Sequence, residues 1–265
     1  MDLKVICQEV INVTRETAEF IRTERLSFSS EKVESKGLHN YVSYVDKKAE
    51  EILVKRLSEI MPEAGFIAEE GTGEEIQGGW NWVIDPLDGT TNFIHGLPPF
   101  SISIALINNN RAVIGVVYEI NLNECFYSWE GSNAYLNGKE IRVSDSFFIR
   151  DSLIATGFPY TDFDRMKPFL ATFEFFIQNS HGLRRLGSAA VDLAYVACGR
   201  FDAFYEYGLN PWDVAAGAFI VQQAGGKIGD FLGGDSYLFG GELVASNAHI
   251  FDEFQTSVQR LMKSP

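Results

Sequence analysis

Apolar residues recur at helical spacing near the start of the chain. Leu3, Ile6, Val10, Val13 and Phe20 predict an amphipathic helix over 3–25. A second stripe, Ala49, Ile52, Leu53, Leu57 and Ile60, predicts a helix from about Asp46 to Ile60, stopped by Pro62. Asp46 then falls near that helix's N-terminus, where the dipole favours a carboxylate. The period changes in the next part of the chain. "WNWVID", "SISIALI", "RAVIGVVYEI" and "ECFYSWE" read as strands, separated by turn residues such as "INNNR". "LNGKEI" holds an Asn-Gly hairpin turn. The pattern predicts a meandering, largely antiparallel sheet.

The second half alternates. "SLIATGF", "GLRRLG" and "FDAFYEY" read as strands, and 165–179, 188–199 and about 250–262 as helices. "PWDVAAGAFIVQQAGG" is a further helix, with Pro at its start and Gly-Gly at its end. Mixed sheets layered with helices place the fold between α+β and α/β. A division into 1–148 and 149–265 is expected, with no flexible linker and with the two halves packed as one unit.

Composition narrows the function classes. The chain has 265 residues, enough for one large domain or two packed halves. Lys and Arg total 22 against 36 Asp and Glu, a formal charge of -14, which disfavours direct contact with nucleic acid or an anionic membrane. Cys7, Cys125 and Cys198 are far apart with no CxxC spacing, so neither a disulfide frame nor a zinc site is expected. No stretch reaches the roughly 20 apolar residues that span a bilayer, and "MDLKVICQEV" lacks a basic region followed by a long apolar run. A soluble cytoplasmic protein is expected.

The acids fall at element boundaries. Glu69 and Glu70 precede a glycine, Asp85 and Asp88 leave a buried strand, and Asp213 opens a helix. Singly, each has an ordinary reading: a solvated loop, a turn initiator before Pro86, a helix cap. Together they suit a hard cation, because Mg²⁺ takes a few carboxylates with carbonyls and water. Asp85 and Asp88, with the Leu87 carbonyl between them, could hold one ion or bridge two. The absence of nearby His or Cys favours Mg²⁺ or Mn²⁺ over zinc. If a helix begins at "DGTT", the N–H groups of Gly89, Thr90 and Thr91 form an anion cradle. Acids beside such a cradle suggest a metal-dependent phosphate site.

"WVIDPLDGTTNFIHG" and "NPWDVAAGAFIVQQAGG" resemble the two signature motifs of the inositol monophosphatase family. "YVSYVDKKAEE", "FIAEEG" and "LGSAAVDLAYVACGRFDAFYE" match in order, so the resemblance covers essentially the whole chain. It implies a layered α/β/α/β/α sandwich of the sugar-phosphatase type. It implies metal ligands at Glu69, Asp85, the Leu87 carbonyl, Asp88 and Asp213, holding roughly two or three Mg²⁺ per site with Mn²⁺ as an alternative. Phosphate is implied at the backbone of Gly89 and Thr90, and the polyol at Asp88, Gly187, Ser188, Ala189, Glu206 and Asp213. Glu69 and Thr90 would orient the attacking water, Asp46 would accept from Thr90, and Lys36 would offset phosphate charge at the entrance. Lithium sensitivity and a homodimer are further implications.

The wider superfamily also acts on fructose 1,6-bisphosphate, adenosine 3′,5′-bisphosphate and histidinol phosphate. "TTNFIHG" and Glu206 favour the inositol branch, with a small phosphorylated polyol as substrate. Ser43 and Ser188 stand where the family usually has threonine and keep the hydroxyl, while Asn210-Pro211 departs from relatives at the rim. His95 reads as structural or rim. Because some bacterial relatives bind RNA polymerase, a regulatory protein is the alternative of another class.

Overall fold

The computed structural model describes residues 2–28, 33–37, 40–160 and 163–263, with 33–37 and 40–42 as backbone alone. The helices are α1 (Leu3–Leu26), α2 (Tyr44–Ile60), α3 (Thr90–His95), α4 (Met166–Asn179), α5 (Ala189–Ala197), α6 (Pro211–Gln223) and α7 (Phe251–Met262). The strands of the first half are β1 (Val33–Gly37), β2 (Asn40–Ser43), β3 (Gly65–Ala68), β4 (Trp80–Asp88), β5 (Ser101–Asn108), β6 (Arg111–Glu119), β7 (Glu124–Trp129), β8 (Ala134–Leu136) and β9 (Lys139–Ile141). Those of the second are β10 (Leu153–Thr156), β11 (Gly182–Arg184), β12 (Ala203–Tyr207), β13 (Lys227–Gly229) and β14 (Glu242–Ser246).

Strands β3 to β9 form a sheet in sequence order. From β4 onward it is the expected antiparallel meander. The Asn109-Asn110 and Asn137-Gly138 turns both adopt positive φ, as the turn residues require. β3 was not foreseen. It pairs parallel to β4 and carries the chain up to Glu69. The second sheet has the order β11-β10-β12-β14-β13, parallel about β10 and antiparallel about β14. β13 and β14 were also missed; both are short.

Strand alternation explains the layers. On β4, Trp82 and Ile84 face α1 and α2, while Val83 faces the other way; on β5, Ile102 and Ile104 oppose Ala105 and Ile107. Both faces are buried, so these strands read as continuous apolar runs. The second face packs on α5 and α6, which in turn cover Ala155, Phe204 and Ala245 of the second sheet. The far side of that sheet, Ile154, Tyr205 and Val244, is closed by α4 and α7. The result is the expected α/β/α/β/α order of layers. α6 is buried from Val214 to Val221 without a polar stripe because it lies between two sheets.

Short α3 is tied to the chain leading into α5. Asn92 Nδ2 donates to the Pro99 carbonyl (2.7 Å) and the Leu186 carbonyl (2.8 Å). Replacing Asn92 by Ala strands both carbonyls and is expected to cost about 1–3 kcal/mol. The urea midpoint should fall at an unchanged slope; an unaltered midpoint would refute this role.

Candidate active site

Asp85 and Asp88 are three residues apart on β4, so a regular strand would send them to opposite faces. The register with β5 shows why they converge. Asp85 pairs with Ser103 and Asp88 with Ser101, so three steps on β4 match two on β5. That is a β-bulge, and Pro86, which has no N–H to offer a ladder, sits in it. Both carboxylates then face the middle helical layer. Ser101 meets the Ser188 hydroxyl at 3.2 Å, and Ser103 donates to the Trp212 carbonyl at 3.0 Å.

The middle layer supplies the third acid. Carboxylate oxygens of Asp85, Asp88 and Asp213 lie within 4.8 Å of one another, a metal-binding spacing found among the described residues. Asp213 stands in the first turn of α6, and its Oδ2 accepts from Asn210 N at 2.6 Å. Asp213 is thus both the N3 partner in the capping box of Asn210 and a member of the cluster. Glu69 lies outside the trio but lines the same cleft and acts on Asp85 as a like charge.

Burial and mutual repulsion raise these acids. Asp85 is pushed well above the carboxylate range by burial and then by Glu69, Asp88 and Asp213. Asp213 is pushed up to about 7 by burial and Asp88. Asp88 reaches about 6: burial raises it, while the Ser188 hydroxyl (2.6 Å) and Ala190 N (2.8 Å) hold its Oδ2 and lower it. An all-oxygen set of carboxylates with raised pKa values fits a hard dication, which would relieve the repulsion.

The predicted supporting residues assemble around the trio. Gly89, Thr90 and Thr91 line the cleft where α3 begins. Gly89 has φ 95°, and a Cβ there would meet the Pro99 and Gly187 carbonyls at 3.1 and 3.2 Å. The Thr90 hydroxyl lies 2.8 Å from Asp46 Oδ1. Asp46 Oδ2 accepts from Ser43 N (2.9 Å) and the Ser43 hydroxyl (2.6 Å), so the box that starts α2 also fixes the Thr90 partner. Burial raises the Asp46 pKa against those bonds. Gly187, Ser188, Ala189 and Glu206 also line the cleft, which encloses about 210 Å³. Glu206 is pushed up to about 8 by burial and by Asp213. Lys36 lies on β1, and its side chain is outside the described residues. His95 is exposed and does not line the cleft.

Several groups escaped sequence reasoning. Glu50, buried on α2, accepts from Glu70 N and Thr72 N, both at 2.8 Å, and so holds the loop after Glu69. Gly157 lies against the Glu206 carboxylate. Asp192, Arg185 and Tyr160 also line the cleft. The apolar stripe of α5 held one available signal, an aspartate in "AAVDLAYVA".

A layered α/β/α/β/α fold with an acidic oxygen-donor cleft defines a metal-dependent phosphatase class. The chain matches the inositol monophosphatase family over residues 2–263 and belongs to it. It is 43% identical to "Nus factor SuhB" of Pseudomonas aeruginosa, covering 91% of this chain and 90% of that protein. It is 41% identical to "Inositol-1-monophosphatase" of Mesorhizobium japonicum, covering 88% and 86%. The solved extragenic suppressor protein suhB from Bartonella henselae superposes with a TM-score of 0.91 at 34% identity, over 97% and 99% of the two chains. None of the described helices is long and apolar enough to cross a membrane.

The raised acids set a pH dependence. Asp88, Asp213 and Glu206 titrate higher folded than in the unfolded chain, where carboxylates titrate near 4. Their stabilising contribution is complete below about pH 4 and is lost as pH rises through the folded values of about 6, 7 and 8. In chelator, Tm is expected to fall from about pH 5 to 8. A divalent cation, binding the deprotonated acids, should restore it most at the upper end. A calorimetric series with and without chelator checks this; a Tm in chelator that stays flat or rises contradicts it.

Proposed function

We propose that this chain hydrolyses myo-inositol monophosphate to inositol and phosphate, using Mg²⁺ and an in-line attack by water with no covalent intermediate. The observation that carries the reading is the bulge-aligned trio Asp85, Asp88 and Asp213 beside the Thr90–Asp46 bond. Glu69, Asp85, the Leu87 carbonyl, Asp88 and Asp213 would hold the ions, roughly two or three of them, Mn²⁺ being an alternative. Bound there, they supply charge neutralisation at phosphate and water of lowered pKa.

The remaining work falls to side chains and backbone. The first N–H groups of α3, at Gly89 and Thr90, have no intrahelical acceptor and receive the phosphate oxygens. Thr90 donates its hydroxyl hydrogen bond to Asp46 and keeps the proton, so its oxygen is turned to accept from the attacking water, whose protons stay with the phosphate or pass to solvent. Glu69 orients that water from the other side. The bond from phosphorus to the polyol oxygen breaks, and the oxygen takes its proton from solvent. Asp88, Gly187, Ser188, Ala189, Glu206 and Asp213 receive the polyol. The halves 1–148 and 149–265 act as one catalytic unit, in a cytoplasmic homodimer inhibited by lithium. Fructose 1,6-bisphosphate or another polyol or nucleotide phosphate is the alternative substrate.

The 43% identity to a Nus factor supports a second reading, a regulator acting through a protein partner. Phosphate release from inositol 1-phosphate, glycerol 2-phosphate, fructose 1,6-bisphosphate, adenosine 3′,5′-bisphosphate and histidinol phosphate, with Mg²⁺ or chelator, separates the readings. Inositol 1-phosphate should lead, and Asp85→Asn should lower kcat/KM by at least about a hundredfold. Full turnover in that variant rules out the enzyme mechanism; its full biological activity without turnover marks a regulator.

A Cβ at position 157 would lie 1.9 Å from the Glu206 carboxyl carbon, at the flexible end of that side chain. Gly157→Ala is therefore expected to fold, to displace Glu206, and to raise KM for inositol 1-phosphate about fivefold or more. An unchanged KM would remove Glu206 from the polyol contacts.

A further inference from the structure

One carboxylate in the cleft has no task in the account above. Asp192 is 1% exposed, and its Oδ1 accepts from no group among the described residues, although the side chain lines the cleft. A buried acceptor left unmatched costs about 1–3 kcal/mol, more when charged, so such atoms are rare in folded proteins. Capping does not explain it: Ser188 caps α5 by accepting from Val191 N at 3.3 Å. The metal trio does not include it either, among the described residues.

The facing groups show what it could bind. Glu206 and Asp88 act on Asp192 electrostatically as like charges, and Arg185 as an opposite one. Arg185 also lines the cleft, and its Nε is buried with no acceptor among the described residues. Its guanidinium is held over the Phe158 and Tyr160 rings, at 5.4 and 5.3 Å, and donates to the Tyr160 hydroxyl. Among the described residues the cleft wall thus holds one buried unmatched acceptor and one buried unmatched donor. An anionic group would satisfy Arg185 but face Asp192, Glu206 and Asp88; an ammonium would satisfy the carboxylates but face Arg185. A hydroxyl both donates and accepts, and suits both.

We propose that Asp192, with Arg185, forms a hydroxyl-binding subsite that makes the cleft select the uncharged polyol portion of a monophosphate over a ligand with a second anionic group there. This rests on the polyol-phosphatase reading and adds specificity-determining residues to it. Asp192 accepts from a substrate hydroxyl, and Arg185 Nε donates to the same or an adjacent hydroxyl oxygen.

The test compares kcat/KM for myo-inositol 1-phosphate with that for phenyl phosphate, which has no hydroxyls, in Asp192→Asn and Arg185→Gln proteins with Mg²⁺. The subsite requires the ratio to fall about tenfold in each, chiefly through KM for the inositol ester. A ratio within twofold of the parent's in both variants, whatever happens to Tm, makes Asp192 structural and overturns the proposal. If the parent releases phosphate from neither ester, the hydrolytic reading fails, and calorimetric titration of myo-inositol 1-phosphate decides the subsite. A Kd about tenfold weaker in Asp192→Asn than in the parent supports it; equal values, or no binding to the parent, overturn it. Should Asp192→Asn fail to fold, Arg185→Gln decides alone by the same ratio.

Discussion

One extra residue in β4 governs the site. Without the bulge between Asp85 and Asp88, strand alternation would put one carboxylate among the apolar side chains facing α1 and α2. With it, both reach the middle layer, where Asp213 completes the cluster. A slip of one residue costs more here than a lost ladder bond, because it would bury a charge in the core. Pro86 suits the bulge, having no N–H to leave unpaired.

The layers do the rest by bringing helix starts to one cleft. α3, α5 and α6 all begin at its wall, with Gly89, Ser188 and Asn210 in their cap positions. Helix starts present N–H groups and positive dipole ends, which moderates the crowding of acids. Asp88 shows the balance: α5 donors lower what burial raises. The other acids stay high, so the site stores electrostatic strain that a dication can relieve. Strain of this kind marks function more often than stability does.

Support comes from elements remote in sequence. Asp46 belongs to a helix start before the metal strand, yet it holds the Thr90 hydroxyl. Glu50, one turn further along α2, holds the backbone of the loop after Glu69. One helix therefore positions two parts of the site, through a side chain to a side chain and through a side chain to backbone. The Asn92 amide links α3 to the chain entering α5, so two walls of the cleft are tied by one side chain.

Local pattern was enough for much of this. Helical stripes gave α1, α2 and α7; alternation and Asn-Gly turns gave the meander from β4 to β9; the acids at element ends and their motifs identified Glu69, Asp85, Asp88, Thr90 and Asp213 as site candidates. These signals are local because period and turn chemistry are properties of neighbours in the chain. β3, β13 and β14 were not legible, since strands of three to five residues carry too little period and are stabilised by their partners. Nor were Glu50, Gly157, Arg185 and Asp192. Their significance lies in which residues folding brings together, such as Glu50 with Glu70 and Gly157 with Glu206. The sequence by itself determined the elements and named the acids. Only the tertiary structure decided that a bulge aligns two of them, that burial raises them, and that an unmatched Asp192 faces the same cleft, because each depends on which surfaces are removed from water together.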